Sequence, residues 1–95
     1  MYYVYVLYSE KDRKLYIGST PDLRKRFHKH ITGYVLSTKN RLPVKLIYYE
    51  SYVLETDGLR REKFLKSGGG RKLLAAQLHD IFIDLGYNYS RVNAV

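Results

Sequence analysis

The chain has 95 residues, a formal net charge of +8, 45% hydrophobic residues, eleven Tyr and no Cys. This length fits one domain, and the apolar fraction is sufficient for a small core. The absence of Cys excludes a disulfide framework, a Cys-bound zinc site and a thiol nucleophile. The N-terminus lacks the pattern of a signal peptide, and no apolar run approaches the about 20 residues that cross a bilayer. We therefore expect a cytoplasmic protein without a membrane association.

The positive charge is clustered along the chain. Nine basic and two acidic residues lie between Lys11 and Arg41, and six basic residues and one acid lie between Arg60 and Lys72. A grouped basic excess attracts a polyanion and releases its counterions on binding. This distribution favours a nucleic-acid partner, and the alternative is a solvated surface tuned for solubility. A membrane-surface role is disfavoured because no helix combines a basic face with a large apolar face.

The first predicted elements are two strands and a helix. Aromatic and β-branched residues fill the strand 2–8, and a polar connection leads to a second strand over 15–18, which predicts a hairpin. Thr20 is predicted as the N-cap of the helix, with Pro21 at its first position. The helix is expected to end at about Ile31, where Thr and Gly follow.

The second half of the chain contributes one strand and two helices to the prediction. The Gly run at 68–70 is expected to end the second helix, because Gly is the residue that reverses a chain at a helix end. The order β-β-α-β-α-α indicates an α+β domain over 1–85, with a small antiparallel sheet packed by helices. The predicted bounds are 44–49 for the third strand, 54–57 to 66 for the second helix, 71–85 for the third helix and 86–95 for a short tail.

Two polar residues of the first helix lie beside its apolar stripe. On a wheel of about 100° per residue, Leu23, Phe27 and Ile31 form the stripe. Arg26 and His30 lie one turn apart and flank it, so we expect them at the edge of the core, pointing across the sheet. An ordinary surface arginine and a boundary histidine are the alternatives.

Glu62 is the acid with the least expected position. It falls between Leu65 and Leu59 on the apolar flank of the second helix. A carboxylate there costs free energy unless it is paired, hydrogen-bonded or bound to a metal. A lone carboxylate suits Mg²⁺, which leaves its other positions to water and phosphate. A salt bridge to Arg26 or another nearby arginine is the equally weighted alternative.

The tyrosines are divided between packing and chemistry. Tyr3 and Tyr5 share one face of the first strand, and Tyr16 lies on the neighbouring strand. Most strand tyrosines are expected to pack with their hydroxyl groups at the rim of the sheet. The residues given this packing role are Tyr2, Tyr8, Tyr48, Tyr49 and Tyr52.

Four short segments follow one another in a characteristic order. They are Tyr3-Val4-Tyr5, Tyr16-Ile17-Gly18-Ser19-Thr20, Asp22-Leu23-Arg24-Lys25-Arg26, and Arg61-Glu62 followed by Leu65-Lys66. In this order and spacing they strongly resemble the GIY-YIG nuclease family over residues 2–67. The closest resemblance is to small single-domain bacterial members related to the nuclease domain of the excision-repair incision enzyme. It implies a three-stranded antiparallel sheet flanked by helices, and a phosphodiesterase that uses one divalent cation.

The resemblance also implies roles for individual residues. Tyr5 and Tyr16 match the tyrosines of the two motif halves, and Arg26 matches the helix arginine of the family. His30 falls where the family often has a His or Tyr, and Glu62 matches the metal-binding glutamate. Two departures are a tyrosine, residue 3, in place of the Gly of the first motif half, and a serine, residue 19, where some repair enzymes carry a Lys.

The residues and the resemblance together predict metal-dependent hydrolysis of DNA phosphodiester bonds, specific for structure rather than sequence, in DNA repair or processing. We expect Glu62 to hold Mg²⁺ or Mn²⁺ and Arg26 to bind the scissile phosphate. Tyr5 or Tyr16 would orient or deprotonate the attacking water, and His30 would assist water activation or hydrogen-bond a tyrosine.

The remaining basic residues are predicted to hold the flanking backbone without reading its sequence. A non-catalytic nucleic-acid-binding module of the same fold is the alternative function. RNA is not excluded as the substrate, and the sequence leaves the oligomeric state open. The predicted nucleic-acid-binding residues are Lys11, Arg13, Lys14, Lys25, Lys29, Lys39, Arg41, Arg61 and Lys63.

Overall fold

The computed structural model describes residues 1–87 and confirms the α+β class with a three-stranded antiparallel sheet. None of the helices in these residues has the length and apolarity needed to cross a membrane. The strands are β1 (Tyr2–Ser9), β2 (Leu15–Thr20) and β3 (Val44–Tyr52), and the helices are α1 (Leu23–Ile31), α2 (Glu55–Leu65), α3 (Gly68–Gln77) and α4 (His79–Leu85).

The sheet has the order β2-β1-β3, so the most apolar strand lies in the centre. Alternate β1 side chains point to opposite faces, as the two-residue period of a strand requires. Val4 and Val6 belong to the larger core, which includes Leu65 of α2. Tyr5 and Leu7 belong to the smaller core on the other face, which α1 covers. The central strand is therefore buried on both faces.

The first helix begins two residues later than predicted. Thr20 is still paired with Tyr3 in the β1–β2 ladder, so it is the last strand residue and not the N-cap. Asp22 is the N-cap, and its carboxylate accepts a hydrogen bond from the Lys25 backbone N–H at 3.0 Å. The Thr20 hydroxyl accepts from the Asp22 N–H at 3.1 Å and so fixes the turn between strand and helix.

The glycine run opens α3 instead of only ending α2, which corrects the predicted helix start at residue 71. Ser67 caps the new helix by accepting from the Gly70 backbone N–H at 3.2 Å. A Cβ added to Gly70 would lie 2.0 Å from the Phe64 carbonyl oxygen. The glycine is therefore required by the close approach of two successive helices, and no left-handed conformation is involved.

The predicted third helix over 71–85 is divided into α3 and α4 at Leu78, whose backbone leaves the helical region at φ −107° and ψ 29°. Gly86 ends α4 with φ +70°, as a helix-terminating glycine does. Tyr87, predicted to belong to a tail, is buried in the larger core. Residues 88–95 of the predicted tail lie outside the described residues.

Candidate active site

A buried hydrogen-bonded chain joins β1, α1 and the loop after α1. The Tyr5 hydroxyl lies 2.7 Å from His30 Nε2, and His30 Nδ1 lies 2.7 Å from the Thr38 hydroxyl oxygen. His30 and Thr38 are fully buried, and Tyr5 is 1% exposed. Both ring nitrogens of the histidine therefore have partners, and the ring is held in one orientation.

Burial determines the protonation states of His30 and Tyr5. Desolvation, helped by the nearby Arg26 guanidinium, lowers the pKa of His30 from 6.5 to about 4. Desolvation also raises the pKa of Tyr5 to about 12, although Arg26 opposes that shift. At neutral pH the histidine is uncharged and the tyrosine is protonated. The Tyr5–His30 pair is therefore a neutral hydrogen-bonded support beneath its neighbours.

Tyr16 and Arg26 lie beside this support and remain partly accessible to solvent. The Tyr16 ring packs edge-on against His30 with a centroid distance of 5.1 Å. The interaction with the Tyr5 hydroxyl raises the pKa of Arg26, and Tyr16 contributes in the same direction against desolvation. No carboxylate of residues 1–87 forms an ion pair with Arg26. Its guanidinium is thus available to bind an anion.

Gly18 explains how Tyr5 and Tyr16 come together. It pairs with Tyr5 across the β1–β2 ladder. A Cβ at this position would lie 2.6 Å from the Tyr5 hydroxyl oxygen and 3.0 Å from a ring carbon of Tyr16. Any side chain here would displace the tyrosines, so the glycine of the second motif half is a packing requirement of the site.

Glu62 lies on the other face of the sheet, where α2 packs. Its side chain is 18% exposed, and its Oε2 forms an ion pair with Lys66 Nζ at 2.8 Å. The Ser19 hydroxyl donates to Oε1 at 2.5 Å, and the Tyr2 hydroxyl lies 3.2 Å from the same serine oxygen. The half-buried position agrees with the helical wheel. The alternative of a salt bridge to an arginine is wrong, because the partner is a lysine.

The edge strand β2 connects the two groups. Gly18 contacts Tyr5 and Tyr16 on the α1 side, and the next residue, Ser19, holds Glu62 on the α2 side. Since successive strand residues point to opposite faces, one dipeptide at the sheet edge positions both groups. The candidate active site therefore extends around the edge of β2.

The donor atoms at Glu62 fit a single divalent cation. They are a carboxylate and a serine hydroxyl, and residues 1–87 contain no cluster of three or more acidic or histidine ligands. Hard oxygen donors are those that Mg²⁺ and Mn²⁺ prefer, and Mg²⁺ commonly uses one or two carboxylates together with water and phosphate. The Lys66 ammonium belongs to a largely exposed side chain, so it is an exchangeable counter-ion.

The comparison with protein families agrees with this geometry. Residues 1–73 match the family model described as the GIY-YIG catalytic domain. The chain belongs to the GIY-YIG family. This is a family of nucleases, so membership implies a nucleic-acid substrate, and its enzymes are generally dependent on a divalent metal.

Relatives of similar size share this domain. The chain is 40% identical over 68 residues to a UPF0213 protein of Limosilactobacillus reuteri, covering 68% of this chain and 70% of that protein. It is 36% identical over 74 residues to UPF0213 protein SSP2268 of Staphylococcus saprophyticus, covering 77% and 89%. UPF0213 protein CPE1444 of Clostridium perfringens is 40% identical over 67 residues, covering 70% and 71%. No solved structure matches the chain significantly.

The predicted backbone-binding residues of this GIY-YIG domain occupy two kinds of environment. Three arginines are engaged by the fold: Arg13 donates to the Gly86 carbonyl, Arg41 to Asp12, and Arg61 to Glu50. The lysines of the set have exposed side chains. These exposed lysines are Lys11, Lys14, Lys25, Lys29, Lys39 and Lys63. Contact of the whole set with a nucleic-acid backbone stays a prediction.

Two residues of the candidate site make contacts that the sequence does not predict. Thr38 lies in a loop that reads only as polar and basic, and no local signal distinguishes it from its neighbours. Ser19 stands where some repair enzymes carry a Lys, and its hydrogen bond to Glu62 spans 43 positions of sequence. A contact at that separation depends on how α2 packs against β2.

Proposed function

We propose that this protein is a metal-dependent DNA endonuclease that hydrolyses phosphodiester bonds and acts in DNA repair or processing. The observation that carries the proposal is the pair of consecutive residues Gly18 and Ser19, which contact the tyrosine cluster and Glu62 respectively. Membership of a nuclease family supports the same chemistry.

Arg26 binds the scissile phosphate in this proposal. Its guanidinium has no carboxylate partner within residues 1–87, so it does not have to break an ion pair to bind an anion. A planar guanidinium donates two parallel hydrogen bonds to phosphate oxygens. Because charge on these oxygens increases toward the transition state, the contact accelerates the reaction as well as binding the substrate.

Tyr16 is the general base in this proposal: after its own proton has passed to solvent, its phenolate accepts the proton of the attacking water. The Tyr5 hydroxyl is engaged by His30, and its side chain is almost completely buried, so it is poorly placed to meet water. The Tyr16 side chain is partly exposed and lies beside Arg26, whose positive charge favours the phenolate that must form before the water is deprotonated. Tyr5 and His30 act as positioning residues through their contacts with Tyr16.

Glu62 and Ser19 hold the divalent cation. The serine hydrogen bond orients one carboxylate oxygen, and a bound cation would take the place of the Lys66 ammonium at the other. When bound, Mg²⁺ or Mn²⁺ supplies Lewis-acid polarisation of a phosphate oxygen and stabilisation of the leaving oxygen.

The exposed lysines around the domain support specificity for structure over sequence. Contacts to phosphates fix the position of the nucleic acid and carry no sequence information. The GIY-YIG match accounts for residues 1–73, most of the described chain. We therefore propose that branched, flapped or single-stranded DNA is selected by its shape.

A cleavage screen tests the proposal. Purified protein is incubated with single-stranded, duplex, flap and branched DNA and with RNA, in Mg²⁺, Mn²⁺ or EDTA. We expect cleavage of a DNA substrate that EDTA abolishes and that Tyr16→Phe reduces about a hundredfold with binding retained. Binding without cleavage in every cation would contradict the proposal and support a non-catalytic module. Cleavage of RNA alone would reject DNA as the substrate.

A further inference from the structure

An aromatic groove lies between α1 and β3 on the sheet face that carries Tyr5. It has a volume of about 410 Å³ and is lined by the rings of Tyr3, Phe27 and Tyr49, together with Leu23 and Leu46. Arg24, at the start of α1, also contributes to the lining. Ligand sites in proteins are typically concave and largely apolar with a few polar groups, and this groove has that composition.

Tyr49 leaves much of its ring uncovered. The sequence predicts a packing role for this residue, but the residue is 54% exposed. Its contact with Tyr3 is edge-on, with a centroid distance of 6.2 Å and an interplanar angle of 62°. An edge-on contact does not cover the faces of both rings, so the groove presents aromatic surface for stacking.

The groove adjoins the candidate active site. Tyr49 pairs with Tyr5 in the β1–β3 ladder, and Tyr3 lies two residues from Tyr5 on the same face. Two residues of a strand span about 7 Å. In α1, Phe27 follows Arg26 directly, so the helix that carries the phosphate-binding arginine also supplies a wall of the groove.

The charge around the groove matches a nucleotide. Arg24 and Lys25 have exposed side chains on the same helix end, in a chain with a net charge of +8. The acidic lining residue, Asp22, accepts a hydrogen bond from the Lys25 backbone N–H as the helix cap. An apolar aromatic wall bordered by cations fits a flat base attached to a phosphate.

We propose that this groove binds an unpaired nucleobase next to the phosphate that the enzyme cleaves. The proposal rests on the proposed nuclease function and specifies its substrate class. A base within a duplex is already stacked and paired, so only a single-stranded or flap nucleotide can enter without a cost of unstacking. Stacking on aromatic rings tolerates any base, which agrees with specificity for structure.

The test compares two oligonucleotides of equal length and charge. One is a single-stranded 12-mer of thymidine, about 12 nucleotides being within the range that small domains cover, and the other has the same backbone with abasic sites throughout. Affinities are measured by fluorescence anisotropy in EDTA, so that no cleavage occurs. We expect the wild-type protein to prefer the thymidine oligomer by about fivefold or more, as one stacked base provides.

Matched variants locate the preference. Tyr49→Ala is expected to bind both oligomers with similar affinity, whereas Tyr49→Phe keeps the aromatic face and the preference. Tyr34→Ala removes an exposed tyrosine that does not line the groove and is expected to keep the wild-type preference. Equal binding of the two oligomers by the wild type, or an unchanged preference in Tyr49→Ala, would overturn the groove proposal.

NMR replaces the variant if it does not fold, and the cleavage assay distinguishes failure of the groove proposal from failure of the nuclease function. If Tyr49→Ala does not fold, NMR of the wild-type aromatic resonances decides: we expect thymidine 12-mer, and not the abasic oligomer, to shift those of Tyr3, Phe27 and Tyr49, and unshifted resonances would overturn the proposal. Cleavage with Mg²⁺ but no base preference rejects the groove alone. Base preference without cleavage in any cation rejects the nuclease function and retains the groove.

Discussion

The protein uses two half-buried arginines and two half-buried glutamates in opposite ways. Arg61 donates to Glu50 at 2.6 Å, and the hydroxyls of Tyr48 and Tyr52 each donate to the same carboxylate at 2.6 Å. Desolvation opposes ionisation of Glu50, but these hydrogen bonds lower its pKa below its ordinary value. We call Arg61 and Glu50 the closed pair, because each satisfies the other.

Arg26 and Glu62 form what we call the open pair, since they are not joined to each other. Arg26 lies among tyrosines, and Glu62 is held by a serine and by the exposed Lys66. Burial does not distinguish the two carboxylates, because the Glu50 side chain is 16% exposed and that of Glu62 is 18% exposed. The difference lies in their partners, and the open pair is the one that we propose to bind a phosphate and a cation.

The largest effect is expected for Arg26→Ala, which removes one half of the open pair. The loss of charge stabilisation at the phosphate should lower the cleavage rate by about 10²- to 10³-fold. Arg26→Lys should restore little, because an ammonium cannot make the two parallel contacts of a guanidinium. Arg60→Ala, at an exposed arginine paired with Asp57, is the control. Equal cleavage rates for the wild type and Arg26→Ala at saturating DNA would show that Arg26 does not act on the scissile phosphate.

The pH dependence of stability should distinguish buried His30, which lies near Arg26, from the closed pair. The unfolded chain binds a proton at His30 near pH 6.5, whereas the buried ring resists it down to about pH 4. Between these values the unfolded state holds more protons, so stability rises with pH and is lost on acidification, by on the order of 2–3 kcal/mol. Because the pKa of Glu50 is lowered, the stability that the closed pair contributes is lost at a lower pH than that of His30, below about 4.5.

Urea unfolding from pH 7.5 to 3.5 measures this separation. His30→Gln should remove the slope between pH 6.5 and about 4, whereas His28→Gln, at an exposed histidine, should keep it. A wild-type stability that is flat across this window would show that His30 is not held neutral by burial.

Glu50→Gln should weaken the closed pair, with a smaller effect on the free energy of unfolding than that of acidification at His30. It leaves the half-buried Arg61 without its charged partner, at a cost of about 1–3 kcal/mol. For a domain of this size, each kcal/mol corresponds to about 4–8 °C in Tm, which calorimetry resolves. An unchanged Tm would mean that the closed pair contributes nothing net to the fold.

Local patterns predicted much of this arrangement. The strands, the flanking position of Arg26 and the position of Glu62 follow from strand and helix periodicity. His30, which the wheel places at the edge of the core, is fully buried, whereas Ile31 of the predicted apolar stripe is 46% exposed. The closed pair does not follow from local patterns. The sequence predicts nucleic-acid contact for Arg61 because the contact of Arg61 with Glu50 depends on how α2 packs against β3. The sequence does not predict the start of α3 at the glycine run, because Gly70 is required by packing against Phe64.

The most direct test of the account compares single-turnover cleavage by Glu62→Gln and Glu50→Gln in Mg²⁺ at saturating DNA. The two substitutions are chemically identical and occur at equally buried carboxylates. We expect Glu62→Gln to lose at least about a hundredfold in rate with DNA binding and folding retained, because its amide no longer holds the cation. We expect folded Glu50→Gln to cleave at the wild-type rate. Wild-type cleavage by Glu62→Gln, or equal losses in both variants, would contradict the central claim.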